Sequence, residues 1–232
     1  MNLKIVSINM QFDQFARNYR QVLDQSIAAS GEDSAYFAEY KAIYLARVLG
    51  ANFSGKILDF GCGVGLLSGF LKKHLPACRL DGFDVSRESM AHIDPALTRQ
   101  GVFTCEPGQL GKDYDLIVTA NVLHHVAPDQ RIVTIRELAN RLTPHGKLAI
   151  IEHNPANPLT RRTVERCAFD QDAILLPPAE TQSLIQAADL KLLRRDYIVF
   201  MPHLLSLLRP FEPWLAWLPL GAQYAVLGEK HA

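Results

Sequence analysis

Lys56–Leu71, KILDFGCGVGLLSGFL, decides how the rest of the chain is read. An apolar pair, Ile57 and Leu58, ends at Asp59, and Gly61, Gly63 and Gly65 follow at every second position. Leu66, Leu67, Phe70 and Leu71 then recur with the period of an amphipathic helix. A strand that stops at a glycine-rich turn and feeds a helix brings bare backbone amides up to a ligand. Glycine allows this because it has no Cβ to block either the turn or the approach. The pattern predicts a nucleotide-type site at the C-terminal edge of a parallel sheet.

The spacing narrows the ligand. A dinucleotide fingerprint, G-x-G-x-x-G, would place Gly or Ala where Leu66 stands. Instead the third glycine comes one residue early, and an acid precedes the first by two. Leu80–Asp84 reads as the next strand, ending in an acid 19 residues after Gly65. An acid about 20 residues beyond such a loop is where a ribose diol is gripped, since a carboxylate accepts two hydrogen bonds. The D-x-G-x-G-x-G order of Asp59–Gly65 resembles motif I of the class I S-adenosylmethionine-dependent methyltransferases. Asp115–Val126, DLIVTANVLHHV, is similar to the segment after the fourth strand of small-molecule members of that family.

The resemblance spans residues 56–155. It implies a doubly wound, mostly parallel seven-stranded sheet of Rossmann-like type, S-adenosylmethionine as methyl donor and S-adenosylhomocysteine as product. Its cofactor set is Asp59, Gly61, Cys62, Gly63, Gly65, Asp84 and Val85. Asn121 would stand beside the methyl donor, and Tyr19 would fold over it from an N-terminal helix. Glu106 is placed to reach an adenine amine. Asn121 is not followed by the Pro-Pro-aromatic signature of methylases that act on the amines of nucleic-acid bases or glutamine, so the resemblance points to a small-molecule acceptor.

Composition agrees. The 232 residues are 48% hydrophobic, enough for one substantial core, and the motif order favours one domain over 1–232. Twenty-four basic and 24 acidic residues cancel, which argues against a large nucleic-acid surface. Cys62, Cys78, Cys105 and Cys167 are dispersed and read as buried thiols in a reducing compartment. No signal-peptide core or membrane-length apolar run is apparent, so a cytoplasmic location is expected. No metal constellation is apparent either, because adjacent His124 and His125 do not easily bind one ion together.

Working outward, residues 1–55 read as a helical cap, with Phe12, Ala16, Tyr19 and Val22 at helical spacing. Residues 56–155 form the cofactor-binding core. Its further elements are a helix over 86–93, a short strand over 102–105, strands over 115–120 and 147–152, and a helix over 128–142. Residues 156–232 form the substrate side, with a helix over 179–188 and strands over 192–200 and 224–228. An insert at 202–221, rich in leucine and tryptophan, carries only Arg209 and Glu212 as charges. It reads either as a packed helical cap or as a lid or peripheral membrane contact through 203–220 that receives an apolar acceptor.

Methyl transfer from a sulfonium needs an in-line arrangement and, for a hydroxyl or protonated amine, a base near neutrality. Histidine fits that role. His125, His153 and His124 follow the fourth and fifth strands and are the candidates. His125 falls four residues after Asn121, so one α-helical turn would return it to the same side. Thr160, followed by Arg161 and Arg162, reads as a helix start able to hold an acceptor's phosphate or carboxylate. A non-catalytic binding protein of the same fold, a nicotinamide oxidoreductase and an aminopropyl transferase are the alternatives.

Overall fold

The computed structural model of the protein describes residues 19–50, 52–168 and 170–232, without the side chains of residues 19–22 and 29. Strand β1 (Lys56–Phe60) runs through the middle of the sheet, where Ile57 and Leu58 are fully buried. It pairs in parallel with β2 (Arg79–Phe83) on one side and β4 (Tyr114–Ala120) on the other. The remaining strands are β3 (Phe103–Thr104), β5 (Leu142–His153), β6 (Leu190–Ile198) and β7 (Gln223–Lys230). Across the seven-stranded sheet the order is β3-β2-β1-β4-β5-β7-β6. Every pair is parallel except those of β7, which runs antiparallel to both β5 and β6.

Side chains alternate between two cores. Leu58, Ile117, Leu148 and Val226 face one, and Ile57, Leu116, Ala149 and Ala225 face the other. Both faces of the sheet are therefore covered, which is why its strands read as continuous apolar runs. Helices α1 (Tyr19–Ile27) and α2 (Ser34–Leu49) lie ahead of β1, and α2 packs on α3 (Leu66–His74). Asp33 caps α2 by accepting the Tyr36 amide at 2.9 Å. The helical expectation at Phe12 and Ala16 lies outside the described residues, as does the Tyr19 side chain.

Several boundaries differ from the sequence reading. The helix expected over 86–93 is the shorter α4 (Arg87–Ala91), and a further helix, α5 (Pro95–Thr98), follows it where Asp94 caps a new start on the Ala96 amide. Helix α6 (Pro128–Ala139) stops three residues before Leu142, which instead opens β5 by pairing with Tyr114. Helices α7 (Pro158–Arg166) and α8 (Pro178–Ala187) complete the set. Thr160 does not cap α7. Asn157 does, accepting the amides of Leu159 and Thr160, while the Thr160 hydroxyl donates to the Ala222 carbonyl at 2.9 Å.

The insert is helical, though of 3-10 type, and it meets the body through its charged residues. His203–Leu215 winds as 3-10 helix interrupted at Leu205 and carries Pro210 and Pro213. Its acid points inward: Glu212 is 2% exposed and accepts from the Tyr40 hydroxyl and the Met201 amide. Arg209 pairs with Glu32 beneath it. Leu204, Leu207, Trp214 and Trp217 point outward, each more than two-thirds exposed. Among the described residues, no helix is long and apolar enough to cross a membrane.

Candidate functional site

The glycine loop owes its shape to backbone that L side chains rarely adopt: φ is +80° at Gly61, +53° at Gly63 and +79° at Gly65. A Cβ at Gly61 would lie 2.3 Å from Val122 Cγ2, so the β1 and β4 loops meet only because glycine is there. A Cβ at Gly63 would touch nothing within 4 Å, leaving that face open. The amides of Gly61 and Cys62 donate to the Phe83 carbonyl, and that of Gly65 to the Cys62 carbonyl. The expectation of bare amides is therefore not met at these positions: the loop spends them on its own fold and offers close approach instead.

Asp84, at the end of β2, is oriented by two backbone donors. Gly63 N–H reaches Oδ2 at 2.7 Å and Ser86 N–H reaches Oδ1 at 2.9 Å. Loop and acid are thus one unit. Asp59 is buried at the end of β1, where Ser68 Oγ donates to it at 2.6 Å. Burial pushes its carboxyl up to about 6, against the lowering effect of Ser68.

These residues line one cavity of about 1750 Å³ at the C-terminal ends of the strands. Its wall includes Asp59, Gly61, Cys62, Gly63, Asp84, Val85, Asn121, His124, His125 and His153. Gly65 starts α3 and Glu106 pairs with Arg87 at 2.6 Å; neither lines the cavity. Arg162 reaches the wall and Arg161 does not. A pocket for one drug-sized ligand measures roughly 300–1,000 Å³, so this one has room for two.

Lys41, which sequence reasoning missed, is 6% exposed and belongs to the same wall. Burial lowers its ammonium to about 8, opposed by the charges of Glu152 and Asp59. A signal was present: Ala38, Lys41, Ala42 and Leu45 recur at i, i+3, i+4 and i+7, which puts one lysine on a core stripe. Asp170 was also missed, lying in a loop with no motif around it.

Behind the loop stand the histidines. Asn121 leaves β4 in the left-handed region at φ +57°, and Leu123–His125 form a single 3-10 turn, not the α-helical turn expected. That turn brings the rings of His124 and His125 to 4.1 Å, with His153 5.3 Å from His124. Glu152 Oε1 accepts the amides of Val122 and Leu123, and its Oε2 takes His124 Nδ1 at 2.6 Å. Asp170 Oδ1 lies 3.4 Å from Nε2 of both His124 and His125. Burial alone would lower His124, but Glu152 and Asp170 outweigh it and raise it to about 9. His153 goes the other way: burial, helped by the His124 charge, holds it at about 4. His124 is therefore a poor proton acceptor at neutral pH, and His153 is an uncharged imidazole.

The methyltransferase-domain family profile matches residues 58–148, the stretch that builds the loop, Asp84 and the histidine turn. The domain match, the fold and the loop geometry together support a class I S-adenosylmethionine-dependent methyltransferase. Among curated proteins, this methyltransferase is 26% identical over 147 residues to an uncharacterized methyltransferase of Staphylococcus carnosus, covering 62% of the chain and 68% of that protein. It is 27% identical over 128 residues to ribosomal RNA small subunit methyltransferase C of Vibrio vulnificus, covering 50% of the chain but only 37% of that protein. Among solved structures, magnesium protoporphyrin IX methyltransferase of Synechocystis with bound S-adenosylhomocysteine superposes at TM-score 0.68 and 15% identity, covering 98% of this chain and all of that one. Methyltransferase domains of this kind use S-adenosylmethionine as methyl donor. The residues present fit it: an open glycine face, an acid tied to the loop by Gly63 N–H at 2.7 Å, and a buried ammonium on the same wall.

Proposed function

We propose that this methyltransferase methylates an oxygen of a small amphipathic acceptor, with His153 receiving the proton. The observation that carries the reading is the single cavity running from the glycine loop to the histidines, larger than one ligand needs. Bound at the loop, S-adenosylmethionine supplies an already activated methyl group. The chain's own residues then have three tasks. Asp84 orients the sugar hydroxyls, Lys41 holds the carboxylate of the amino-acid tail, and the loop excludes water by close contact. His153, the neutral imidazole at the end of β5, would take the acceptor's O–H proton, the C–O bond forming as the methyl carbon–sulfur bond breaks to leave S-adenosylhomocysteine. Glu152 and Asp170 are both engaged by histidines, which favours a neutral hydroxyl acceptor over an ammonium.

The apolar half of the acceptor is inferred from the insert. Phe200, Met201 and Pro202 belong to the cavity wall, and the outward leucines and tryptophans follow directly. Polar-in, apolar-out patterning supports contact with a lipid surface, where tryptophan sits well at the interface. The whole chain acts as one domain in this reading.

The test is a panel of hydroxylated acceptors of graded chain length, assayed with a radiolabelled methyl donor. Methylation should increase with apolar length, and His153→Ala should lower kcat about 10²- to 10⁴-fold while leaving S-adenosylhomocysteine affinity unchanged. Equal turnover of amine acceptors, or an active His153→Ala variant, removes the assignment.

A further inference from the structure

We propose that His124 Nε2, His125 Nε2 and the Asp170 carboxylate form a site for one divalent transition cation of the zinc class, which takes an acceptor oxygen in its open position. The acceptor half of this statement rests on the methyl-transfer reading above; the metal half does not.

Geometry argues first. The three ligating atoms lie within 4.8 Å of one another, and no other group of His, Cys, Asp or Glu among the described residues comes together in this way. Both histidine–Asp170 separations are 3.4 Å. A charged N–H···O bond settles at about 2.7–2.9 Å, so these contacts are poor as ion pairs. Zinc-type bonds of about 2.0–2.2 Å set a tetrahedral edge of roughly 3.3–3.6 Å, which the observed spacing matches.

The surroundings agree. Glu152 can only accept, so the 2.6 Å contact puts a proton on His124 Nδ1 and leaves Nε2, which faces Asp170 at 3.4 Å, as the nitrogen that would release its proton to a cation. A carboxylate behind a ligating histidine is the usual outer support of a metal ligand, and here Glu152 is itself fixed by the amides of Val122 and Leu123. Two imidazoles of one short turn face a common carboxylate, their ring centroids 4.1 Å apart. All three side chains line the cavity, with His125 18% and Asp170 11% exposed, so an entry path exists. Three protein ligands leave the fourth position for an oxygen, as in catalytic sites.

The experiment uses the untagged full chain, stripped with a chelator and titrated with Co(II), whose visible d–d bands report tetrahedral binding. One equivalent should bind, with bands that shift when a hydroxyl acceptor of the panel is added. His125→Ala and Asp170→Asn should each weaken Co(II) at least tenfold, and Glu152→Gln about 10- to 100-fold through the outer contact. Asp84→Ala should lose S-adenosylhomocysteine and keep the bands. Calorimetry with S-adenosylhomocysteine verifies that the two ligand variants, both partly exposed positions, remain folded. Absence of tetrahedral bands in the wild type overturns the site, as does their survival in both His125→Ala and Asp170→Asn. Co(II) bound without methylation of any oxygen acceptor would sink the methyl-transfer reading and leave the metal site standing; S-adenosylhomocysteine bound without Co(II) does the reverse.

Discussion

Replacing Lys41 with methionine should stabilise the fold and weaken the cofactor together, two effects of opposite sign from one residue. An ammonium lowered from 10.5 to about 8 carries a burial cost. At ~1.36 kcal/mol per pK unit that cost is roughly 3 kcal/mol at neutral pH. Methionine is similar in length and carries no charge to bury. The attraction of Asp59 and Glu152 is already contained in that shift, so a net gain of up to roughly 3 kcal/mol is expected in urea unfolding. S-adenosylhomocysteine should meanwhile lose one charge-assisted contact of about 1.5–3 kcal/mol, which is roughly 10- to 150-fold in Kd. Methylthioadenosine has the same nucleoside without the amino-acid tail, so its affinity should not change. Isothermal calorimetry of both ligands against wild type and Lys41→Met separates the cases. Equal losses for the two ligands would show that the substitution deforms the pocket. No loss for either would show that the carboxylate binds elsewhere.

The remaining predictions concern pH, the loop, the carboxylate behind the turn and the insert. The folded chain binds fewer protons at Lys41 than the unfolded one between pH 8 and 10.5, so this residue's cost is full below about 8 and fades above it. S-adenosylhomocysteine affinity should run oppositely, falling as pH rises through about 8 in the wild type and staying flatter in Lys41→Met. Gly61→Ala forces φ +80° on an L residue and a 2.3 Å clash with Val122. It should cost about 2–5 kcal/mol in denaturant unfolding, of which Val122→Ala restores the overpacking share of about 1–3 kcal/mol; no rescue in the double variant would put the strain elsewhere. Glu152→Ala unpairs two amides and His124 and should cost about 3–5 kcal/mol; a cost under 1 kcal/mol would show that water replaces it. Trp214→Ser with Trp217→Ser should abolish sedimentation with lipid vesicles while leaving the thermal midpoint within a degree or two, because both rings are already in solvent; unchanged sedimentation removes the lipid contact.

What could be read before folding was whatever depends on neighbours in the chain. The order of Asp59, three glycines and Asp84 carries the loop and its ligand class, because turn geometry and spacing are local properties. Apolar runs at Ile57 and Ile117 announce strands covered on both faces for the same reason. Tertiary structure alone decided the rest. It turned the loop amides inward onto Phe83, and it drew Asp170 from a motif-free loop to within 3.4 Å of two histidines. It also let a lone lysine reach the cofactor wall, and it reversed the faces of the insert by seating Glu212 under Tyr40. Each of these is a meeting of residues distant along the chain. Periodicity carries no record of such meetings, because their energy arises only when separate elements pack and lose water.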